Sequence, residues 1–145
     1  MSITLREMTA RDYDGVCALW RATPGVGLSD SDSREGVARF LDENPGTSFV
    51  AADGDRLIGA VLCGHDGRRG YITHLAVTRD ARLRGVGRGL VERCLAALQS
   101  RGIAKCHLFV FTDNTDAQLF WRAVGWTERA ELGVFSRFTD GGSDR

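Results

Sequence analysis

The sequence is short of several things, and each shortage narrows what the protein can be. No apolar run approaches the roughly 20 residues that cross a bilayer, so a membrane protein is not expected. The opening residues Met1-Ser2-Ile3-Thr4-Leu5-Arg6 lack the charged-then-apolar pattern of a secretory signal, which makes the cytoplasm the expected location. Neither sign of charge is in excess. The 19 basic and 19 acidic residues give a net charge of +0, without the basic surplus of a dedicated nucleic-acid binder. Lysine is almost missing: Lys105 stands alone, and the other basic residues are arginines. Cys17, Cys63, Cys94 and Cys106 form no Cys-x-x-Cys pair and no disulfide-like spacing. Each lies in an apolar run, where cysteine behaves as a small hydrophobe. Cys63-Gly64-His65 and Cys106-His107 are only half-sites, since zinc needs about four ligands in defined pairs, and no metal is expected. There is no internal repeat, low-complexity tract or linker.

What remains is an ordinary globular composition. A chain of 145 residues fits one domain, and 43% hydrophobic with 26% charged residues excludes disorder of the whole chain. A single domain over residues 1–140 is expected, with a disordered tail over residues 141–145. Residues 3–7 alternate and read as a strand. Thr9 and Asp12 make a helix start signal, followed by Tyr13, Val16, Cys17 and Trp20 at helical spacing. After a loop, Asp32 and Glu35 resemble a second start, with Val37, Phe40 and Leu41 as the apolar face. Residues 48–52, 57–63 and 71–78 read as three strands joined in hairpins. Val86, Leu90, Val91, Cys94, Leu95 and Leu98 mark a long helix that stops at Arg101-Gly102. Residues 105–111 read as a strand. Thr115-Asp116-Ala117-Gln118 matches a capping box, opening a helix that Gly125 ends. Residues 126–129 and 133–138 read as two last strands. The order β-α-α-β-β-β-α-β-α-β-β describes a mixed α/β (α+β) domain.

One stretch carries chemistry. From Val77 to Leu90 a strand joins the long helix through glycines and arginines, with Arg79, Arg82, Arg84 and Arg88 inside ten residues. Glycines let the backbone take positive φ and let a ligand approach the main chain. Free N–H groups at a helix start, with the macrodipole, bind phosphate oxygens, and arginines add charge and directed donors. The dinucleotide fingerprint fails because Leu90 stands where its third glycine belongs, and the P-loop fails for want of Gly-Lys. A plain turn into a helix would not place Gly85, Gly87 and Gly89 together, because each glycine costs about 1 kcal/mol within a helix.

Arg82-x-x-Gly85-x-Gly87 between strand and helix resembles the acyl-CoA signature of the GNAT superfamily of N-acetyltransferases. Asn114, Ala117 and Phe120-Trp121-Arg122-Ala123-Val124-Gly125-Trp126 are similar to its second motif, and the likeness runs from Ile3 to Phe138. A small, single-domain, bacterial-type member is the implied relative. The resemblance implies a mostly antiparallel sheet of about six or seven strands flanked by about four helices, and acetyl-CoA (or another short acyl-CoA) as cofactor. Leu75, Ala76 and Val77 would splay from the neighbouring strand and pair with the pantetheine amides. Amides of Leu83, Arg84, Gly85, Val86, Gly87, Arg88 and Gly89 would cradle the pyrophosphate, with Arg82, Arg84 and Arg88 around it. Asn114 would bond the pantetheine arm, and Phe120 and Trp121 would pack on it.

The implied reaction is direct attack of a neutral amine on the thioester through a tetrahedral oxyanion. The family's general-acid tyrosine corresponds to Trp121, whose indole donates a hydrogen bond but no proton near neutrality. The usual base positions hold Tyr71 and Thr73. By strand alternation these share a face with Leu75 and Val77, and His74 points the other way. His74 is a structural histidine or a base, histidine being the residue type whose charge changes nearest neutrality; His65 with Asp66, a water relay, or an amine that is already neutral are the alternatives. The acceptor pocket of the family implicates Trp20, the loop with Asp30 and Asp32, His65 and Asp66. The expected acceptor is a small-molecule or peptide amine. A homodimer is common among small members. The competing function is an acyl-CoA-binding sensor without turnover, which Trp121 favours; a nucleic-acid role for the arginines is the weakest.

Overall fold

The structure is a computed structural model, and it describes residues 2–142. The chain groups into a unit that runs to Phe111 and a second that begins at Thr112.

The first unit is built on a five-stranded sheet in sequence order. Its strands are β1 (Ile3–Glu7), β2 (Phe49–Asp53), β3 (Arg56–His65), β4 (Gly70–Val77) and β5 (Cys106–Leu108). Pairing is antiparallel except for β4 with β5, which is parallel. A parallel pair needs a crossover, and α3 (Val86–Ser100) supplies it. The other helices of this unit are α1 (Tyr13–Ala22) and α2 (Arg34–Glu43).

β3 is buried along almost its whole length, which explains why its sequence is an unbroken apolar run. Its neighbouring residues point to opposite faces. Ala60 and Leu62 join Val16, Leu19 and Trp20 of α1 and Val37 of α2 in one cluster. Gly59 faces α3, so closely that a Cβ there would lie 3.1 Å from Val86 and 3.0 Å from Leu90. Two apolar layers therefore enclose the middle of the sheet. Burying each large apolar side chain contributes about 1.5–3 kcal/mol.

Local end signals behave as the sequence indicates, with shifts of a residue or so. Asp12 accepts from the Thr9 N–H at 2.9 Å, closing a capping box over the short turn Ala10–Asp12 that leads into α1. α3 ends in a Schellman motif: the Ile103 N–H reaches the Leu98 carbonyl, and Gly102 takes φ +78. The start of α2 differs. Its N-cap is Ser33, which accepts from the Gly36 N–H at 3.1 Å, and not Asp32. Asp32 instead closes a box with Ser29 around the turn Asp30–Asp32.

In the second unit, α4 spans Thr115–Ala123. Asn114 is its N-cap, accepting from the Ala117 N–H at 3.1 Å; Thr115, the expected cap, is the first helical residue. Gly125 at φ +99 ends it, with the Trp126 N–H on the Trp121 carbonyl. Among the described residues no strand follows α4, so residues 126–129 and 133–138 are not the strands expected. The sheet has five strands, fewer than the six or seven implied. β5 is likewise three residues long, where residues 105–111 read as strand. Of the expected tail, residues 143–145 lie outside the described residues.

Candidate active site

The site is set by an irregularity in β4. Thr73 pairs opposite Leu62 and Ala76 opposite Ala60, so His74 and Leu75 together oppose Val61 alone. This is a β-bulge: one extra residue that bends the strand and resets its alternation. His74 takes φ +52 there, a backbone conformation in which histidine is one of the tolerated types. The carbonyl of His74 accepts from the indole N–H of Trp20 at 3.1 Å. The bulge therefore leaves no orphan at that atom, and buried Trp20 braces it.

The reset corrects the sequence-based alternation. Thr73 and Ala76 share the α1/α2 face, whereas Val77, opposite Gly59, lies on the α3 side. His74 does not turn away from Thr73. Both line one cleft of about 470 Å³, together with Ser29, Asp32, Arg39 and Glu43. His74 Nε2 lies 2.9 Å from Asp32 Oδ1, with side chains only 18% and 10% exposed. Asp32 Oδ2 accepts from the Ser29 N–H, and the Asp32 carbonyl accepts from the Tyr13 hydroxyl at 2.7 Å.

The bulge also falls where β4 leaves its parallel neighbour. The last paired residues are Ile72 and Leu108. Beyond them the β4 backbone, with Leu75, Ala76 and Val77, has no strand on that side among the described residues. A bare edge of this kind can accept an extended ligand as a strand.

β4 then runs through the short turn Arg79–Ala81 into α3. Arg56 grips Asp80 through two bonds of 2.9 and 3.2 Å, tying that turn to β3 and holding the Asp80 carboxyl down at about 2. Leu83 takes φ +66 with its side chain wholly exposed, and Gly85, the N-cap of α3, takes φ +79. No side chain caps this helix and nothing acidic stands in its first turn. Its leading N–H groups are left for an anion. Arg82, Arg84 and Arg88 are exposed around it, and Arg82 Nε donates to the Val77 carbonyl at 3.2 Å. The turn thus fits a pyrophosphate, which needs amide donors, positive charge and no competing carboxylate.

Other expected residues lie elsewhere. His65, the last residue of β3, and Asp66, in the turn that follows it, do not line the cleft. His65 Nδ1 accepts from the Gly67 N–H, and Asp66 takes the amides of Arg69 and Arg68, which hold its carboxyl below the usual range. Asp30 is exposed. Tyr71, half-exposed, packs its ring 5.9 Å from His107. In the second unit Trp121 sits edge-on to both Phe120 and Trp126, each 5.1 Å away, while Asn114 caps α4. Sequence reasoning missed Arg39 and Glu43, one helical turn apart on α2, because solvated charge on a helix carries no signal of its own. It also passed over His107 as a partner for Tyr71.

An open strand edge that leads into an uncapped, arginine-flanked helix start suits an extended ligand with a phosphate-bearing end, as an acyl-CoA donor has. The chain belongs to the acetyltransferase (GNAT) family, whose model matches residues 13–126. It is 35% identical over 110 residues to N-alpha-acetyltransferase 30 of Schizosaccharomyces pombe, covering 72% of this chain and 73% of that one. It is 33% identical to an acetyltransferase of Pectobacterium atrosepticum, covering 71% and 72%. The fold matches the PaiA N-acetyltransferase of Thermoplasma acidophilum, solved with coenzyme A, at a TM-score of 0.76 and 17% identity, covering 88% and 91%. The protein is an acetyl-CoA-dependent acetyltransferase of mixed α/β fold. No helix among the described residues is long and apolar enough to cross a membrane.

Proposed function

We propose that the protein transfers the acetyl group of acetyl-CoA directly to a primary amine, of a small molecule or a peptide, held in the Asp32–His74 cleft. The observation that carries this is the continuity of the unpaired β4 edge with the uncapped start of α3. Bound acetyl-CoA supplies an electrophilic thioester carbonyl. The backbone of Leu75, Ala76 and Val77 binds the pantetheine amides as an added strand. An N–H of the same open edge donates to the oxyanion as the amine attacks. Amides from Leu83 to Gly89 hold the pyrophosphate, with Arg82, Arg84 and Arg88 supplying charge. Asp32 and Glu43 attract the cationic amine to the cleft.

Thermal unfolding with acetyl-CoA, with adenosine phosphates as control, tests the donor site. Ligand at a hundred times its dissociation constant stabilises by about 2.7 kcal/mol. Thiol release with a panel of amines tests transfer. A peptide with a free α-amine is the first acceptor to try, because a relative at 35% identity is an N-alpha-acetyltransferase. Trp121, at the position of the family's acid, supports the alternative of an acyl-CoA-binding module. That reading requires a thermal shift without thiol release from any amine.

A further inference from the structure

The reading of the protein as an amine acetyltransferase leaves the proton unassigned. An acceptor amine is mostly protonated near neutrality; it must lose one proton before it can attack and a second to become the amide. The cleft contains one pair built to take it.

His74 and Asp32 come from segments 42 residues apart and meet at 2.9 Å, both largely shielded from solvent. Each partner is fixed independently. Asp32 is held by the Ser29 N–H on its second oxygen and by Tyr13 on its carbonyl. His74 is held by the bulge, by Trp20 on its carbonyl, and by the indole edge 5.0 Å from its ring. A carboxylate can only accept, so Nε2 must carry the hydrogen that faces Asp32. That leaves the lone pair on Nδ1, for which no hydrogen-bond partner is found among the described residues. A surface histidine with a chance neighbour would not be set this way. The ring has one fixed edge, one vacant basic nitrogen, and a place in the wall of a cleft beside the open β4 edge.

We propose that His74 is the general base of the transfer and that Asp32 is its positioning residue, holding the imidazole with Nδ1 toward the acceptor amine. Nδ1 takes one proton from the ammonium and passes it to water, which frees the nitrogen lone pair; the N–C bond then forms, the C–S bond breaks, and a second amine proton passes through Nδ1 to the departing thiolate. Asp32 pairs with the imidazolium in between. No oxidant or further reactant is required. The other charged groups facing the pair are Arg39 and Glu43 of α2 across the cleft. Tyr13 lies behind Asp32, with the Arg34 guanidinium over its ring. Tyr71 and His107 sit one step along the same sheet face.

The first test needs no acceptor. The chain has three histidines, so nitrogen-15 spectra of the imidazoles, assigned by elimination with His65→Gln and His107→Gln, report the tautomer of His74 directly. The neutral ring should be the Nε2–H form. In Asp32→Asn the amide must turn its NH2 either to the Ser29 N–H or to His74, and the second arrangement forces the Nδ1–H form. A shift toward that tautomer is expected. An Nδ1–H ring in the unsubstituted protein overturns the proposal. The second test is thiol release from acetyl-CoA with a free-amine peptide, spermidine and neamine as acceptors. His74→Asn, chosen because asparagine also accepts positive φ, should lower kcat by about 10²-fold or more and remove the acid limb of the pH–rate profile. The thermal shift with acetyl-CoA should stay within a few-fold in implied affinity. A His74→Asn protein with unchanged kcat and acid limb refutes the base role. An unsubstituted protein that releases no thiol with any of the three acceptors refutes the transfer reading, and the base role with it.

Discussion

Replacing Trp20 by phenylalanine should destabilise the protein by much more than the small change in shape implies. Trp20 is 1% exposed, and its indole N–H is the donor to the His74 carbonyl in the bulge. Phenylalanine keeps most of the ring and loses that donor. Leaving a buried carbonyl unsatisfied costs about 1–3 kcal/mol. Removing about 40 Å³ of ring from a packed site costs a further ~1 kcal/mol at about 24 cal/mol per Å³. The sum is about 2–4 kcal/mol, or a fall in Tm on the order of 10 °C for a chain of this size. Urea and thermal unfolding measure the total. Amide hydrogen exchange locates it, because an unbraced bulge should speed exchange in β4 from Thr73 to Val77 while β2 stays protected. A loss below about 0.5 kcal/mol, the range of ordinary surface substitutions, would show that the bulge does not depend on Trp20. A large loss with unchanged exchange in β4 would assign the effect to burial alone.

Gly85→Ala should lose roughly 1–2 kcal/mol through its left-handed φ, with no clash, since a Cβ there meets nothing within 4 Å; unchanged urea midpoints would refute the strain argument. Gly87→Arg should abolish the thermal shift given by acetyl-CoA, because its side chain would fill the pyrophosphate cradle at the start of α3, and an unchanged shift in a folded variant would remove that site assignment. The Asp80 carboxyl is held at about 2 by Arg56, below the ordinary 3.8, so the pair stabilises the fold above the ordinary value and that contribution is lost as pH falls through about 2. Asp80→Asn should flatten the urea midpoint against pH between about pH 4 and about pH 2, and an unchanged slope would mean that the pair stabilises nothing. Trp121→Tyr should keep acetyl-CoA affinity within a few-fold and raise turnover by restoring an acid. A collapse of binding would show instead that the indole packs closely on the pantetheine arm.

The parts of the fold that the sequence reveals are those decided by local chain. The stops at Gly102 and Gly125 need only a glycine at positive φ and the preceding turn, and both form Schellman motifs. The hairpins from β2 to β4 follow from apolar runs separated by turn residues. The misses are elements that exist only through a partner. Residues 126–129 and 133–138 carry strand-compatible side chains, but a strand is defined by the backbone it pairs with, and none pairs there among the described residues. β5 stops at Leu108 for the same reason: its partner β4 bends away after Ile72. The displaced caps are a finer case. Ser33 and Asn114 compete with Asp32 and Thr115 for one position, all four side chains are competent acceptors, and tertiary packing chooses. The choice at α2 matters beyond the helix, because Asp32, released from capping it, becomes the partner of His74.

The segment proposed to hold the donor stood out in the sequence because glycines and arginines between a strand and a helix have few other uses. The acceptor side did not, and one inserted residue is the cause. Period-two arithmetic assigns every side chain of a strand to a face, and it fails from the first bulge onward. Applied to β4, it separates His74 from Thr73 and puts Val77 with Thr73; in the structure His74 and Thr73 share a cleft and Val77 faces the other way. The sequence marks the bulge only weakly, by a histidine where few residue types accept φ +52. Physically, the bulge would serve both halves of the proposed reaction. β4 ceases to pair with β5 just before it, which leaves a bare backbone edge of the kind proposed to take the donor. The same extra residue turns an imidazole into the cleft, beside Asp32. Closing the bulge would therefore remove the proposed donor edge and the proposed base together. For that reason the buried indole of Trp20, through its bond to the His74 carbonyl, supports the proposed site from beneath.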